Sequence, residues 1–323
     1  MKKLITLTLF CLITTVTSVA QQPNQKMVKE MTHTIAALIE KNYVLKEKGV
    51  LIAAHFKNAL KKGRFYQAQS LKQLDSIMTK SLREASNDYH LYTWNNKEIV
   101  NELKSEQDEG GETSAGTFFD NKKAYDTNFG FDKVDVLSDN IGYIKLSQIN
   151  ISDHSLKKLY AAMTLVENTN ALIIDLRNNG GGGSTVGSVL ETYFFNEHLD
   201  LLEFRKRNGQ TEINSTVGWL LEKRYLKPLY ILINKGTASA AEAFAFALKS
   251  QDRCVIIGEP SSGGAFMNTY FPVNEDFIVA ISTAAPFLPG TAISWEGTGV
   301  QPDFVTDNPE NALTRALEII KSN

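Results

Sequence analysis

The sequence predicts an α/β fold fronted by a small helical bundle. Three patterns carry that expectation. Apolar residues first recur at helical spacing, short apolar runs then alternate with helical stretches, and those runs are continuous. Continuity implies strands covered on both faces, as in a parallel sheet packed between helices.

Ahead of the fold, Lys2-Lys3, an apolar stretch from Leu4 to Val16, and Ser18-Val19-Ala20 before Gln21 read as a secretory signal peptide over residues 1–20. The apolar run is short for a membrane span and is broken by threonines. Cys11 lacks the small preceding residue of a lipid-anchor signal. The expected product is exported, periplasmic or extracellular. Cleavage leaves Cys254 as the only cysteine, which excludes a disulfide within one chain, and Val255-Ile256-Ile257 beside it predict a buried, inert thiol.

The bundle is expected over residues 21–86. Met27, Met31, Ile35, Leu38 and Ile39 mark one helix; Val50, Leu51, Ala54 and Leu60 a second; Leu71, Leu74, Ile77, Met78 and Leu82 a third. The methionines read as core packing. Residues 87–323 form the second domain. Within it, Lys104 to Gly116 is acidic, glycine-rich and aperiodic, and is expected to be a solvated loop. Strands are expected at Ile141–Leu146, Ala171–Leu176, Leu229–Ile233, Val255–Ile257 and Phe277–Ile281. A helix is expected across Val186, Val189, Leu190, Tyr193 and Phe194, and another from Ala240 to Leu248.

The net charge of −2 falls to about −4 without the leader, which carries two lysines and no acid. No basic stripe is present, so nucleic acid is excluded as a partner. Cys254 and the scattered histidines show no metal-ligand spacing, and neither a metal nor an organic cofactor is expected.

Several segments carry residue types that do chemistry. Asp175-Leu176-Arg177-Asn178-Asn179 runs into Gly180 to Gly183, where backbone amides can approach a ligand; an oxyanion hole, a flexible turn and a phosphate cradle all remain open. The P-loop is disfavoured because no Gly-Lys-Ser/Thr ending follows. Gly236-Thr237-Ala238-Ser239 joins a strand to an alanine-rich helix, so Ser239 is either an exposed nucleophile or a helix cap. His90 and Glu296 complete the residue types of a serine-hydrolase triad, each with an ordinary packing or turn role as its competitor. Glu242, one turn beyond Ser239, is a second candidate acid, although fixing the helix start is its simpler use. Asp88 is placed to orient the loop that bears His90, and Arg177 to anchor the glycine turn.

Five segments stand in order: Asn140-Ile141-Gly142-Tyr143-Ile144, Asp175 to Gly182, Thr237 to Glu242, Gly258-Glu259-Pro260, and Trp295 to Asp303. Together they resemble the S41 peptidase family of tail-specific and C-terminal processing proteases. The resemblance implies a ClpP/crotonase-like core and a nucleophile at Ser239. Where the processing branch carries a lysine after Gly-Glu-Pro-x-x-Gly, this chain has Gly264, and the stretch from His90 to Asn140 is short for a PDZ domain. The chain is therefore similar to the PDZ-less branch of interphotoreceptor retinoid-binding protein-like and tricorn-core-like modules, which implies His90 as base and Glu296 as acid. Tyr89 stands where the tricorn-like arrangement has a serine.

A serine hydroxyl needs a base within hydrogen-bond reach, and neutral histidine suits that work. Glu296 would hold the imidazole, and amides of Ala240 and of Gly181 or Gly182 would bind the oxyanion. The expected activity is an exported serine endopeptidase acting on polypeptide substrates held extended along a strand edge. The alternatives are a weakly catalytic module holding a hydrophobic ligand, and a hydrolase of small esters or amides.

Overall fold

The computed structural model describes residues 22–108 and 116–322. The leader and the middle of the acidic stretch lie outside the described residues.

Helices α1 (Gln25–Asn42), α2 (Lys46–Lys61) and α3 (Leu71–Ser86) form the front of the molecule. Asn24 and Ser70 cap the first and third by accepting from the amides of Met27 and Gln73. In α1 the buried positions Val28, Met31, Ile35 and Ile39 share one face at helical spacing. α3 stops at Asn87, whose left-handed backbone (φ +51°) turns the chain toward the body.

Next come β1 (Tyr92–Asn95), α4 (Lys97–Asp108), α5 (Gly116–Phe119) and α6 (Lys122–Asp126). Lys104 to Asp108, expected as loop, therefore continue a helix; Val100 and Leu103 pack on Ile278 and hold it there. The central sheet and its connections follow in chain order as β2 (Phe131–Leu137), β3 (Ile141–Leu146), β4 (Ile149–Ile151), α7 (Leu156–Val166), β5 (Ala171–Asp175) and β6 (Gly182–Ser184). Then come α8 (Val189–Thr192), β7 (Asp200–Lys206), β8 (Thr211–Ser215), β9 (Leu229–Ile233), α9 (Ala240–Ser250) and β10 (Val255–Gly258). The chain ends with β11 (Met267–Pro272), β12 (Phe277–Phe287), β13 (Phe304–Val305) and α10 (Ala312–Ser322).

Six strands run in the order β13-β10-β9-β5-β3-β2, parallel except for the antiparallel β2–β3 pair. Alternation divides its side chains between two cores. Leu172, Ile174, Ile231 and Ile233 meet α7 and α9, whereas Ile173, Tyr230 and Leu232 meet Ala312 and Ala316 of α10. Burial on both faces is why these strands read as continuous apolar runs. The α/β class expected from the sequence is the class found.

A second, antiparallel sheet in the order β1-β12-β7-β8, with β11 on the outside of β12, was expected only at Phe277–Ile281. Its inner residues Phe277, Val279 and Ile281 share one core with Met31, Ile35, Ile39 and Phe56 of the bundle. The helix expected across Val186 to Phe194 shrinks to the four residues of α8, because Gly187 has a left-handed backbone (φ +74°) and Ser188 is not helical, so no helix starts before Val189.

Candidate active site

In a parallel sheet the loops after neighbouring strands emerge side by side at the carboxyl edge. β5 and β9 are such neighbours, so the glycine turn after β5 lies against the turn that carries Ser239. A third loop, between α3 and β1, brings His90 over both.

Ser239 is the residue before α9, with φ +54° and ψ −123°, a region costly for any side chain. Hydrogen bonds on both sides hold the strain. Thr237 Oγ1 donates to the Leu176 carbonyl at 2.8 Å, Ala238 N to the Asn179 carbonyl at 2.9 Å, and Ser239 N to Glu242 Oε2 at 2.8 Å. The hydroxyl is thereby presented at the floor of a cleft of about 1670 Å³, which His90, Gly181, Gly182, Met267 and Asn268 also line.

His90 Nε2 lies 3.1 Å from Ser239 Oγ. Asp88 fixes the loop: its Oδ1 accepts from the His90 amide at 2.8 Å, and its Oδ2 accepts from Tyr43 Oη at 3.0 Å and Ser282 Oγ at 2.6 Å. Burial holds the His90 pKa below its ordinary value; the Asp88 charge opposes that shift and the Arg83 charge adds to it. The imidazole is therefore neutral at neutral pH, with Nε2 free to accept when the proton sits on Nδ1. Nδ1 is buried without a hydrogen-bond partner, and Asp88 Oδ1 stands 3.9 Å from it.

Glu296 is not joined to the imidazole. Its Oε2 accepts from the Ala265 amide at 2.8 Å, and burial, with the Asp88 charge adding, pushes its carboxyl up to about 7. The chain reaches the imidazole from the bundle side, where Asp88 precedes it, so the carboxylate beside Nδ1 comes from His90's own loop. Glu242 is wholly buried and ties the helix start to the opposite wall, accepting from Ser239 N, Ser261 Oγ, Gly263 N and Gly264 N. Burial raises its pKa against those bonds.

Of the expected oxyanion donors, the Gly181 amide is engaged by Asn179 Oδ1 at 2.9 Å and does not face the cleft. Its glycine identity serves close approach instead: a Cβ there would stand 2.6 Å from Ser239 Cβ. Gly182 sits opposite Ile149 in the β4–β6 ladder, so its own amide turns away from β4. The amide of Ala240, in the first turn of α9, has no helical acceptor. Arg177 points away from the cleft, clasping Asp175 at 2.6 Å and the Pro309 carbonyl at 2.8 Å. Among the described residues no group of three or more metal-ligating side chains converges.

Sequence reasoning placed Asp88 only as a loop-orienting group and missed its partners. Tyr43 and Ser282 lie 45 and 194 residues away, and no local pattern announces contacts at that range.

Two family models and several known proteins match this chain. The family model "Peptidase family S41" matches residues 140–306, and "N-terminal domain of Peptidase_S41 in eukaryotic IRBP" matches residues 24–128, beyond the expected bundle boundary at residue 86. The carboxy-terminal-processing protease of Bartonella bacilliformis is 32% identical over 177 residues, covering 52% of this chain and 39% of that protein. The chloroplastic carboxyl-terminal-processing peptidase 2 of Arabidopsis thaliana is 31% identical over 166 residues, covering 51% and 32%. This chain thus spans well under half the length of those relatives. The solved photosystem II D1 C-terminal processing protease shares the fold at a TM-score of 0.54 and 18% identity, over 88% of this chain and 94% of that one. The chain belongs to peptidase family S41.

Proposed function

We propose that the chain is an exported serine endopeptidase. Ser239 Oγ attacks the scissile carbonyl while His90 Nε2 takes its proton; the same nitrogen then protonates the departing amine, leaving an acyl-enzyme that water hydrolyses. One observation carries this reading: the 3.1 Å contact between His90 Nε2 and the hydroxyl of a serine in a strained strand-to-helix turn. The amides of Ala240 and Gly182 supply the oxyanion donors. Asp88, 3.9 Å from Nδ1, is the carboxylate in place to steady the charged imidazole after a small ring shift, and Glu296 shapes the wall at Ala265.

β11 pairs with β12 on one side only, and its residues Met267 to Tyr270 line the cleft. An unfolded polypeptide adding to that edge would gain sequence-tolerant backbone hydrogen bonds. Export rests on the leader pattern at residues 1–20, and among the described residues no helix is long and apolar enough to cross a membrane.

The test is digestion of an unstructured protein, with new termini located by mass spectrometry. Wild type cleaves internal peptide bonds, and Ser239→Ala loses the activity by about 10³-fold or more. A Ser239→Ala protein that cleaves as fast as wild type would falsify the assignment. An apolar cavity behind Ser239 favours one competing reading, a carrier of a hydrophobic molecule; saturable binding of a fatty acid by a protein that cleaves nothing would support it.

A further inference from the structure

Behind Ser239, and adjoining the main cleft at Gly182, Glu212, Ser239 and Met267, a second cavity of about 610 Å³ runs along α9. Ala240, Ala243 and Ala247 form its floor. They follow Ser239 down one face for two helical turns, a path of about 10 Å at the rise of an α-helix. Side chains this small leave the space open, and Leu201 and Phe204 wall it with apolar surface.

Two carboxylates reach the cavity. Glu212 is paired with Lys206 at 3.2 Å. Glu191, on α8, is half-buried, and among the described residues no cation stands beside it; its own backbone amide is the one hydrogen-bond donor that bears on its ionisation. Burial pushes its carboxyl up to about 7. Trp295 also lines the cavity, and its buried Nε1 has no hydrogen-bond partner, but an indole is a donor only and carries no charge.

We propose that this cavity receives the side chain of the residue whose carbonyl Ser239 attacks, and that Glu191 selects lysine or arginine there. The proposal rests on the peptidase reading and adds a specificity to it. A long methylene stem fits the alanine floor and apolar walls, and a cationic head supplies the partner that Glu191 lacks. An aliphatic side chain of the same length would cover the carboxyl and leave it unpaired. An amide would meet it with a neutral hydrogen bond, weaker than a charge-assisted one.

Two measurements test it. Peptides differing only at that residue are compared by kcat/KM; arginine or lysine should exceed norleucine and glutamine by at least about 30-fold, the size expected for a desolvated charge pair. Glu191→Gln should collapse that ratio. Ala247→Phe, which fills the floor, should disfavour arginine and norleucine alike relative to alanine. A wild-type preference for norleucine or glutamine, or a ratio that Glu191→Gln leaves unmoved in a folded protein, overturns the proposal.

Calorimetric binding of peptides ending in arginine or norleucine to Ser239→Ala separates the two levels of the argument. Arginine-selective binding that the added Glu191→Gln change removes, where the wild type hydrolyses none of the peptides, supports the pocket and sinks the peptidase reading. Hydrolysis without cation selectivity does the reverse, and binding with no arginine preference counts against the pocket.

Discussion

Ser239 and His90 suit each other because the fold holds each in a state that water would not favour. The serine occupies a strained backbone conformation, and the imidazole is kept neutral by burial. A base whose pKa is lowered stays competent in mildly acidic solution. The kcat/KM profile should therefore fall only as pH drops through an inflection below the ordinary histidine value; an inflection above that value would contradict a buried neutral imidazole. The two nearby carboxylates should also separate. Asp88→Asn is expected to cut kcat by tenfold or more on the order of a mis-set tautomer, with KM nearly unchanged, and Glu296→Gln to cost less. The reverse ranking in steady-state kinetics would restore the order of importance that the sequence suggests. The turn that presents Ser239 was legible because its small residues are contiguous, whereas His90 was singled out through the family resemblance and not by a signature of its own; the 3.1 Å contact between them is what the fold adds. The position of Glu296 was not legible, since the amide of Ala265 that holds it lies 31 residues away.

Glu242 shows how one side chain can serve an element. Its carboxylate collects donors from the first turn of α9 and from the Ser261–Gly264 wall, so the helix that presents Ser239 is tied to the opposite side of the site. Glu242→Ala would leave those donors buried without an acceptor. A loss of about 3 kcal/mol is expected, read as a fall of several degrees in melting temperature, together with lost activity. An unchanged melting temperature would show that the tie is dispensable. Element by element, the strands of the central sheet could be read because both faces are apolar, and α9 because its alanines are strong helix formers. The β7–β8 hairpin was overlooked although Asn208-Gly209 between its strands is a turn signal, and α10 although Leu313, Ala316 and Leu317 keep helical spacing. α8 was overestimated because its apolar residues pack from a single turn and the coil around it.

At the scale of the whole molecule, the bundle is not a separate body. Ile35, Ile39 and Phe56 close one core with Phe277, Val279 and Ile281, and Tyr43 reaches from α1's end to Asp88. Phe277→Ala should cost about 3–5 kcal/mol and lower a single unfolding transition reported alike by bundle and sheet probes. Two separated transitions would show that the bundle folds alone. That shared core could not be read from spacing, because it joins segments more than 200 residues apart. It matters for chemistry because it carries His90 to a serine that belongs to the main body. The central claim is this meeting, and labelling by a fluorophosphonate probe tests it most directly. Rapid modification at Ser239, abolished in Ser239→Ala and slowed at least about a hundredfold in a folded His90→Ala protein, is the predicted result. Labelling that does not depend on His90, or that falls on another residue, would contradict the account.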